Sequence, residues 1–234
     1  YICYEGQEGT SLYLIVEGVI SIFATDEADN FIWVANLGAG EFFGEFGVLA
    51  GGKRFATVAV AEDAELLEMT KESFDEIVEE YPRVHSVLMG YYKRRVIDML
   101  LARSPLFPGL PVEARGRLVS SCAIDEVPEG EIVQKEGGAG GFFFLIKSGK
   151  VVAYTGSGEK RTVLGELQPG DFFGDPSFDY RAEASYETME PSEIVLFSGD
   201  ILQELSRNHP VIEEIIQRYR DVRVKTFLQK ITGG

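Results

Sequence analysis

An internal repeat constrains the fold of this chain more than any other feature of its sequence. Residues 5–18 match residues 136–149 at an offset of 131, with six identities in fourteen positions. Residues 37–45 match residues 167–175 at an offset of 130, with five identities and two exchanges of Glu for Asp. At an offset of 128, identical residues continue to recur, at Ala56, Pro82, Tyr91 and Leu100. The sequence therefore predicts two copies of one domain, residues 1–101 and residues 102–234.

The two copies differ in where they begin. About residues 104–131 open the second copy, and they would map to positions before Tyr1. We therefore expect the first copy to lack its opening helix and its first strand.

Short runs of β-branched and aromatic residues, separated by glycine-rich breaks, predict strands. In the first copy these runs are Leu12–Val16, Val19–Phe23, Phe31–Val34, Thr57–Val60 and Leu66–Met69. From Lys71 onward the period is helical, and Pro82 suits the first turn of a long helix. Apolar spacing predicts one buried face of that helix, at Val84, Val87, Leu88, Tyr91, Met99 and Leu100. The second copy repeats the pattern, at Ile212, Ile215, Ile216, Tyr219, Phe227 and Leu228. Each copy is predicted to be a β-sandwich or barrel followed by helices.

Composition argues against several classes of function. The net charge of −16 disfavours binding to nucleic acid, because a chain this acidic repels phosphate backbones. Two cysteines, Cys3 and Cys122, and two histidines, His85 and His209, are too few for a disulfide framework, a metal centre or a cupin oxygenase. No run of 18 apolar residues predicts a membrane span, and the opening residues have no secretory signal. We expect a cytoplasmic protein that is not an enzyme, with no catalytic residues and no metal.

Residues 43–58 carry the most specific chemistry. A turn that opens a short helix at Gly44 exposes backbone N–H groups, which favour an anion. Arg54 adds a planar fork of donors suited to phosphate. Glu45 would repel a phosphate unless it faces a pair of hydroxyls, such as those of a ribose. The spacing indicates a small sugar-phosphate ligand inside the barrel.

This stretch resembles the phosphate-binding cassette of the cyclic nucleotide-binding domain family. The family's pattern is Phe-Gly-Glu, a Leu/Ala-type pair, a variable turn, Arg, two small residues and Val, and residues 44–58 fit it without a gap. The two-copy layout is similar to regulatory subunits of cAMP-dependent protein kinase and to bacterial two-module sensors. The resemblance implies a mainly β fold with helices (α+β), as two tandem jelly-roll-like barrels. It also implies a regulatory module that relays ligand binding by helix rearrangement to an effector domain or partner protein.

The resemblance assigns roles to the cassette residues. Glu45 would accept the ribose 2′-hydroxyl, and Arg54 would pair with the cyclic phosphate. Gly44 opens the turn, and backbone N–H groups near Phe46 and Gly47 would complete the anion cradle. The family needs no cofactor beyond this nucleotide.

Further residues would line or close the pocket. Ala56 and Thr57 would lie near the phosphate and base, and Tyr91 or Tyr92 is a candidate lid over the base. Phe55 stands where the family usually has Ala, Ser or Thr. Because Phe55 has no hydroxyl to hold guanine, we expect cAMP rather than cGMP as the ligand.

The same residues also allow plainer interpretations. Glu45 and Arg54 could form a surface ion pair with each other. Tyr91 and Tyr92 could serve in helix packing, and the basic run 93–95 could be a solvated helix face rather than a contact for nucleic acid or acidic partners.

The second cassette departs from the pattern. Asp175 is one methylene shorter than Glu45, and Pro176 lacks a backbone N–H. The offset of 128 places Ala182 at the arginine position, leaves Arg181 one residue out of register, and places Glu183 beside the expected phosphate. We therefore expect one nucleotide per chain, bound by the first copy.

Two other functions follow from these departures and from the fold. The first is a ligand-free interaction scaffold whose barrels have lost their binding sites. The second is a transcription factor of the catabolite activator type, which would need a helix-turn-helix after the last long helix. Only residues 229–234 follow Leu228, so the chain as given does not contain one.

Overall fold

The computed structural model describes residues 1–25, 29–50, 52–104, 107 and 110–232, with backbone alone for residue 159 and for 223–232. Within it the chain divides into two compact units, Tyr1–Arg103 and Ser104–Gly234. None of the helices in the described part of the chain has the length and apolar character needed to cross a lipid bilayer.

The first unit is an antiparallel sheet followed by helices. Its elements are β1 (Ser11–Thr25), β2 (Phe31–Leu37), β3 (Phe42–Phe43), α1 (Glu45–Leu49), β4 (Thr57–Thr70), α2 (Lys71–Glu80) and α3 (Pro82–Arg103). Strand β1 pairs with β2, β3 and β4. The sheet encloses a core that includes Ile15, Ile20, Leu37, Phe43 and Val58.

Strand β1 corrects the sequence prediction, which placed separate strands on the two sides of Gly18. The pairing with β4 continues past Gly18, although its register shifts between Ile15 and Ile20. Gly18 has φ of +91°, and a Cβ there would lie 2.2 Å from the carbonyl oxygen of Asp63. The glycine therefore permits an irregularity inside one strand instead of ending it.

The helices begin where the sequence predicts. Helix α2 starts at Lys71, and Thr70 caps it by accepting a bond from the Ser73 N–H at 3.3 Å. Helix α3 starts at Pro82. Its predicted buried face is wrong in part, because Val87 is 58% exposed and Tyr91 is 48% exposed. The buried side of α3 instead includes Val96 and Ile97.

The second unit divides its strands between two four-stranded antiparallel sheets. Its helices are α4 (Val112–Ser121), α5 (Gly199–Asn208) and α6 (Val211–Thr232). Its strands are β5 (Ala123–Val127), β6 (Ile132–Gln134), β7 (Phe142–Ser148), β8 (Val151–Thr155), β9 (Thr162–Leu167), β10 (Phe172–Asp175), β11 (Ser185–Thr188) and β12 (Ser192–Ser198). The sheet orders are β10-β7-β12-β5 and β6-β11-β8-β9. Antiparallel barrels followed by helices confirm the predicted mainly β, α+β, jelly-roll-like fold.

Side chains of the second unit fill its barrel from both sheets. The core includes Phe144, Ile146, Leu164, Phe173 and Ile194. On α6, Ile212, Ile215 and Ile216 are buried as predicted, whereas Phe227 and Leu228 lie outside the described side chains.

Candidate functional site

The candidate site lies where β3 turns into the short helix α1. Gly44 makes that turn with φ of +88°, in the left-handed region that side chains rarely adopt. A Cβ on Gly44 would lie 2.6 Å from the Ser11 carbonyl oxygen and 2.7 Å from Nη1 of Arg54. The glycine therefore lets the cassette backbone approach the arginine closely. Gly51, which belongs to the predicted cassette, lies outside the described residues.

Arg54 is buried beside this turn. It is 7% exposed, and its Nη1 donates to the carbonyl oxygens of Ser11 at 2.6 Å and Gly44 at 3.4 Å. Its guanidinium carbon lies 5.5 Å from the centre of the Tyr13 ring. Among the described residues, no carboxylate lies within 4.0 Å of the guanidinium nitrogens. Arg54 is therefore a buried cation held only by neutral groups.

Two further glycines shape the space around Arg54. A Cβ on Gly9 would lie 1.9 Å from Nε of Arg54, so the arginine stem rests on bare backbone. A Cβ on Gly47 would lie 2.0 Å from the carbonyl oxygen of Gly9. We call the backbone of Gly9, Gly44 and Gly47 the glycine cradle. The cradle holds the guanidinium at a fixed place next to α1.

The charge of Arg54 reaches the barrel interior. Burial raises the pKa of the Cys3 thiol, and the nearby Arg54 charge opposes that rise. Burial also raises the pKa of Tyr13, whose hydroxyl donates to Oε1 of Glu68 at 2.9 Å. Cys3 and Tyr13 are therefore neutral at pH 7. Bonds from Ser11 and Tyr13, and the charge of Arg54, lower the pKa of the exposed Glu68, so this carboxylate is ionised near Arg54 without pairing with it.

Glu45 is paired with α3 rather than with Arg54. It is 2% exposed, and its Oε1 accepts a bond from Nη1 of Arg95 at 2.7 Å. The same Nη1 donates to the Phe42 carbonyl oxygen at 2.7 Å, and the guanidinium carbon lies 4.8 Å from the Phe42 ring centre. Glu45 therefore does not form an ion pair with Arg54, because its partner is Arg95. This pair also corrects the interpretation of run 93–95 as a solvated face, because Arg95 points inward.

Sequence reasoning missed the role of Arg95, although a signal was present. Tyr91 and Arg95 are four residues apart, so they share one side of α3. Tyr91 packs edge-on against the Phe42 ring at 5.2 Å, and Arg95 covers the same ring. The spacing thus places the two residues on one side of α3, but it does not identify Glu45 as the partner of Arg95.

Aromatic rings gather at the other end of the cassette. Phe55 is 39% exposed and stacks on Phe46, with ring centres 4.6 Å apart, and Tyr92 lies 4.8 Å from Phe46. Nη2 of Arg103 donates to the Phe55 carbonyl oxygen at 3.2 Å and pairs with Glu5. Tyr92 thus meets the cassette itself, whereas Tyr91 meets Phe42. The role of either tyrosine as a base lid stays a prediction.

Three predicted contacts take other partners. The Gly47 N–H donates to the Gly44 carbonyl oxygen at 3.1 Å, and the role of the N–H groups near Phe46 and Gly47 in an anion cradle stays a prediction. The buried Thr57 hydroxyl accepts a bond from the Glu5 N–H at 3.1 Å. Ala56 packs against a cluster that includes Met99 of α3. The structure thus brings Gly44, Glu45, Phe46 and Arg54 together at one turn. The Gly47 N–H lies at the same turn and is hydrogen-bonded to Gly44.

Comparison with known proteins gives this geometry a family. The family model for the cyclic nucleotide-binding domain matches residues 1–81 and 124–209, which is more than half of the chain. The chain belongs to the cyclic nucleotide-binding domain family. The two matched segments fall one in each compact unit, so both units are cyclic nucleotide-binding domains.

Curated relatives include regulatory subunits of cAMP-dependent protein kinase. One, from Eremothecium gossypii, is 28% identical over 176 residues, which cover 74% of this chain and 34% of the relative. Another, from Dictyostelium discoideum, is 26% identical over 178 residues, which cover 74% of this chain and 52% of the relative. The chain thus spans about a third to a half of the length of these relatives.

Similar solved structures include two regulatory domains with bound cAMP. The regulatory domain of Toxoplasma gondii PKA is 20% identical with a TM-score of 0.49, and the match covers 94% of this chain and 82% of that one. The cAMP-bound PfPKA-R is 24% identical with a TM-score of 0.49, and the match covers 97% of this chain and 76% of that one.

The second cyclic nucleotide-binding domain satisfies its cassette carboxylate internally. Asp175 is fully buried. Arg220 of α6 donates to both of its carboxylate oxygens, from Nε to Oδ2 and from Nη2 to Oδ1, each at 2.7 Å. Nη2 also donates to the Ser177 hydroxyl. Burial acts to raise the pKa of Asp175, but the Arg220 bonds and charge, with the Ser177 N–H, outweigh it and lower the pKa. This carboxylate is ionised and fully engaged.

Matching backbone bonds identify the counterpart of Arg54. The Arg54 carbonyl accepts from the Gly6 N–H at 2.8 Å, and the Ala182 carbonyl accepts from the Gly137 N–H at 2.7 Å. The exposed Arg181 instead occupies the place of Lys53, since each forms an isolated bridge with the glycine-turn segment. The cationic side chain of the first cassette is therefore replaced by a methyl group in the second.

Proposed function

We propose that the chain is a cytoplasmic regulatory module, without catalytic activity of its own, that senses cAMP through its first domain. The observation that carries this proposal is the buried and unpaired charge of Arg54. A buried cation without an anion is costly, so the native state gains when an anion binds beside it. The planar guanidinium suits the two exocyclic oxygens of a cyclic phosphate.

The second polar anchor is Glu45. A carboxylate has about four lone-pair sites, and Arg95 uses one oxygen of Glu45. The other oxygen can accept the ribose 2′-hydroxyl. Ligand and helix α3 then share one carboxylate, so occupancy of the site changes the contact that holds α3 on the cassette. This shared carboxylate is the proposed relay from ligand to helix.

The second domain is proposed to bind no nucleotide. Ala182 offers a phosphate no charge, and Arg220 already occupies the carboxylate that a ribose would need. Both domains would act together on an effector domain or a partner protein. In the curated relatives named above the effector is a protein kinase.

The test is calorimetric titration of the intact chain with cAMP. The proposal expects one cAMP per chain and at least about thirty-fold weaker binding in Arg54→Ala. Lys53→Ala is the matched control, because it removes the neighbouring positive charge from an exposed position of the same loop. Equal affinity in Arg54→Ala and Lys53→Ala, with both variants folded, would contradict the proposal.

A ligand-free scaffold is the second candidate, and the Asp175–Arg220 pair favours it. In that pair an arginine of the domain's own helix occupies the cassette carboxylate, which supports a domain that needs no ligand. If both domains are closed, saturating cAMP leaves the melting temperature unchanged. A ligand that binds the native state must raise it.

A further inference from the structure

A groove of about 340 Å³ lies in the second domain, between its cassette and its last two helices. The described lining includes residues 176–179 of the cassette, Leu202 and Gln203 of α5, and Glu213 and Ile216 of α6. This volume is at the lower end of the range for ligand pockets, which is about 300–1,000 Å³. The groove therefore suits one long side chain or a ligand of similar size.

The first domain fills the corresponding place with its own chain. Leu202 and Ile216 are the counterparts of Phe74 and Leu88 at the offset of 128. Phe74 and Leu88 pack with Val48 of α1 in one buried cluster. The second cassette is two residues shorter and forms a turn at residues 178–179 instead of a helix. The groove thus lies where the first domain has a side chain of its own cassette, which favours a protein side chain as the occupant.

One wall of the groove is an aromatic ring with a fixed place. Phe178 lines the groove and is 57% exposed. A Cβ on Gly141 would lie 2.9 Å from two carbons of the Phe178 ring, and Gly141 has φ of +98°. The ring therefore rests on backbone that glycine alone readily provides, while most of its surface is open to a partner.

The charge of the groove favours a cation. Asp179 and Glu213 line it and are exposed, and in the described part of the chain no basic group pairs with either carboxylate. Arg220 also lines the groove, but Asp175 balances its charge through two hydrogen bonds. Two negative charges are thus left uncompensated, and they attract a cation and repel an anion.

We propose that this groove is a docking site for the side chain of an arginine in a partner protein. The apolar stem of an arginine can lie along the floor that Leu202 and Ile216 provide. Its planar guanidinium can stack on the Phe178 ring and donate to the Asp179 and Glu213 carboxylates. Lysine has a compact charge without a planar face, so arginine is preferred. This inference does not depend on nucleotide binding by the first domain.

The test is a titration of the full, isotope-labelled chain with a blocked alanine peptide that carries one central arginine. The shifts of backbone amides in the NMR spectrum report where the peptide binds. Matched peptides replace the arginine by lysine or by citrulline, which has nearly the shape of arginine without its charge. Free arginine is titrated separately, because a site for a small molecule would prefer it to the peptide.

The arginine peptide should give saturable shifts at residues 177–179 and 213, and the citrulline peptide should bind at least about fivefold more weakly. The lysine peptide should bind with intermediate affinity. Phe178→Leu, which keeps an apolar side chain without a ring, should weaken binding of the arginine peptide by about two- to fivefold. Phe178→Tyr keeps the ring and should bind like the unaltered chain.

The acidic side of the groove has its own matched pair of variants. Glu213→Gln should weaken binding of the arginine peptide by about two- to fivefold. Glu214→Gln is the control, because it removes an exposed acid from the same first turn of α6, and Glu214 is not among the described residues that line the groove. This variant should bind like the unaltered chain.

Equal binding of the arginine and citrulline peptides, or equal binding by Glu213→Gln and Glu214→Gln, would overturn the proposal. Shifts that do not saturate and that spread over the acidic surface would also overturn it, because they indicate general attraction to a chain of net charge −16. Tighter binding of free arginine than of the peptide would assign the groove to a small molecule instead. A dimer of the chain that dissociates in Phe178→Leu would assign it to a second copy instead.

Discussion

At the scale of single residues, the decisive feature is a charge without a counter-charge. Arg54→Ala removes the group that an anionic ligand would pair with, and losing one partner of a desolvated charge pair costs roughly 2–5 kcal/mol. We therefore expect cAMP affinity to fall by about thirty-fold to a few thousand-fold. Without ligand, the unfolding free energy of Arg54→Met should not fall, because the variant removes a buried unpaired cation. Denaturant titration with and without cAMP measures both effects.

A single methyl group at Gly9 tests the geometry of the glycine cradle. The added Cβ would lie 1.9 Å from Nε of Arg54, so Gly9→Ala should push the guanidinium out of place. The obstacle is the movable part of a side chain, so we expect weakened cAMP binding with little loss of stability. Gly38→Ala is the matched control, because a Cβ there meets nothing within 4 Å. Equal cAMP affinity in the two variants would show that the cradle does not position Arg54.

At the scale of elements, the last helix of each domain is tied to its cassette through one carboxylate. In the second domain the tie is Asp175–Arg220, and Arg220→Ala leaves a fully buried carboxylate without its cation. Breaking such a pair costs about 3–5 kcal/mol. We expect α6 to lose hydrogen-exchange protection in this variant, whereas Arg218→Ala, an exposed change on the same helix, should leave it unchanged.

The same tie predicts how stability depends on pH. The pKa of Asp175 is lowered in the folded chain, so its contribution is present above the unfolded carboxyl pKa of about 3.9. The contribution is lost as pH falls through the lower folded value. Asp175→Asn should therefore show a flatter loss of unfolding free energy between about pH 5 and pH 2. If the unfolding free energy falls equally steeply with decreasing pH in the variant and in the unaltered chain, this role of Asp175 is contradicted.

Helix α3 offers the corresponding test of the relay. If ligand and helix share Glu45, then Arg95→Gln should bind cAMP while α3 no longer changes its hydrogen exchange on binding. Arg94→Gln is the control, because Arg94 is exposed on the same helix. A ligand response of α3 that survives in Arg95→Gln would place the relay elsewhere.

At the scale of the whole molecule, the two domains are predicted to differ in occupancy. Titration of the intact chain should give close to one cAMP per chain, because only the first cassette has a buried cation. Competition should favour cAMP over cGMP, since Phe55 gives guanine no hydroxyl and an unpaired polar edge is penalised. A stoichiometry near two, or displacement of cAMP by an equal concentration of cGMP, would contradict these expectations.

The repeat and the cassette were predictable because their signals are local. Glycine turns, strand-like runs and the spacing from Gly44 to Val58 depend on neighbours in the sequence. The facing of α3 and the partner of Glu45 were not predictable, since they depend on packing between distant elements. The ion pairs between helix and cassette are an example. Arg95 pairs with Glu45 and Arg220 pairs with Asp175, yet the repeat aligns Arg220 with Tyr92. A pattern search for an aligned arginine would therefore have missed one of them.

The presence of Ala182 and Arg220 where the repeat has Arg54 and Tyr92 changes the charge balance of the two cassettes. In the first cassette Arg54, Glu45 and Arg95 sum to one positive charge, whereas in the second Asp175 and Arg220 sum to zero. An anion that enters the first cassette would make it electrically neutral. The second cassette is neutral without one, so an anion there would leave a net negative charge.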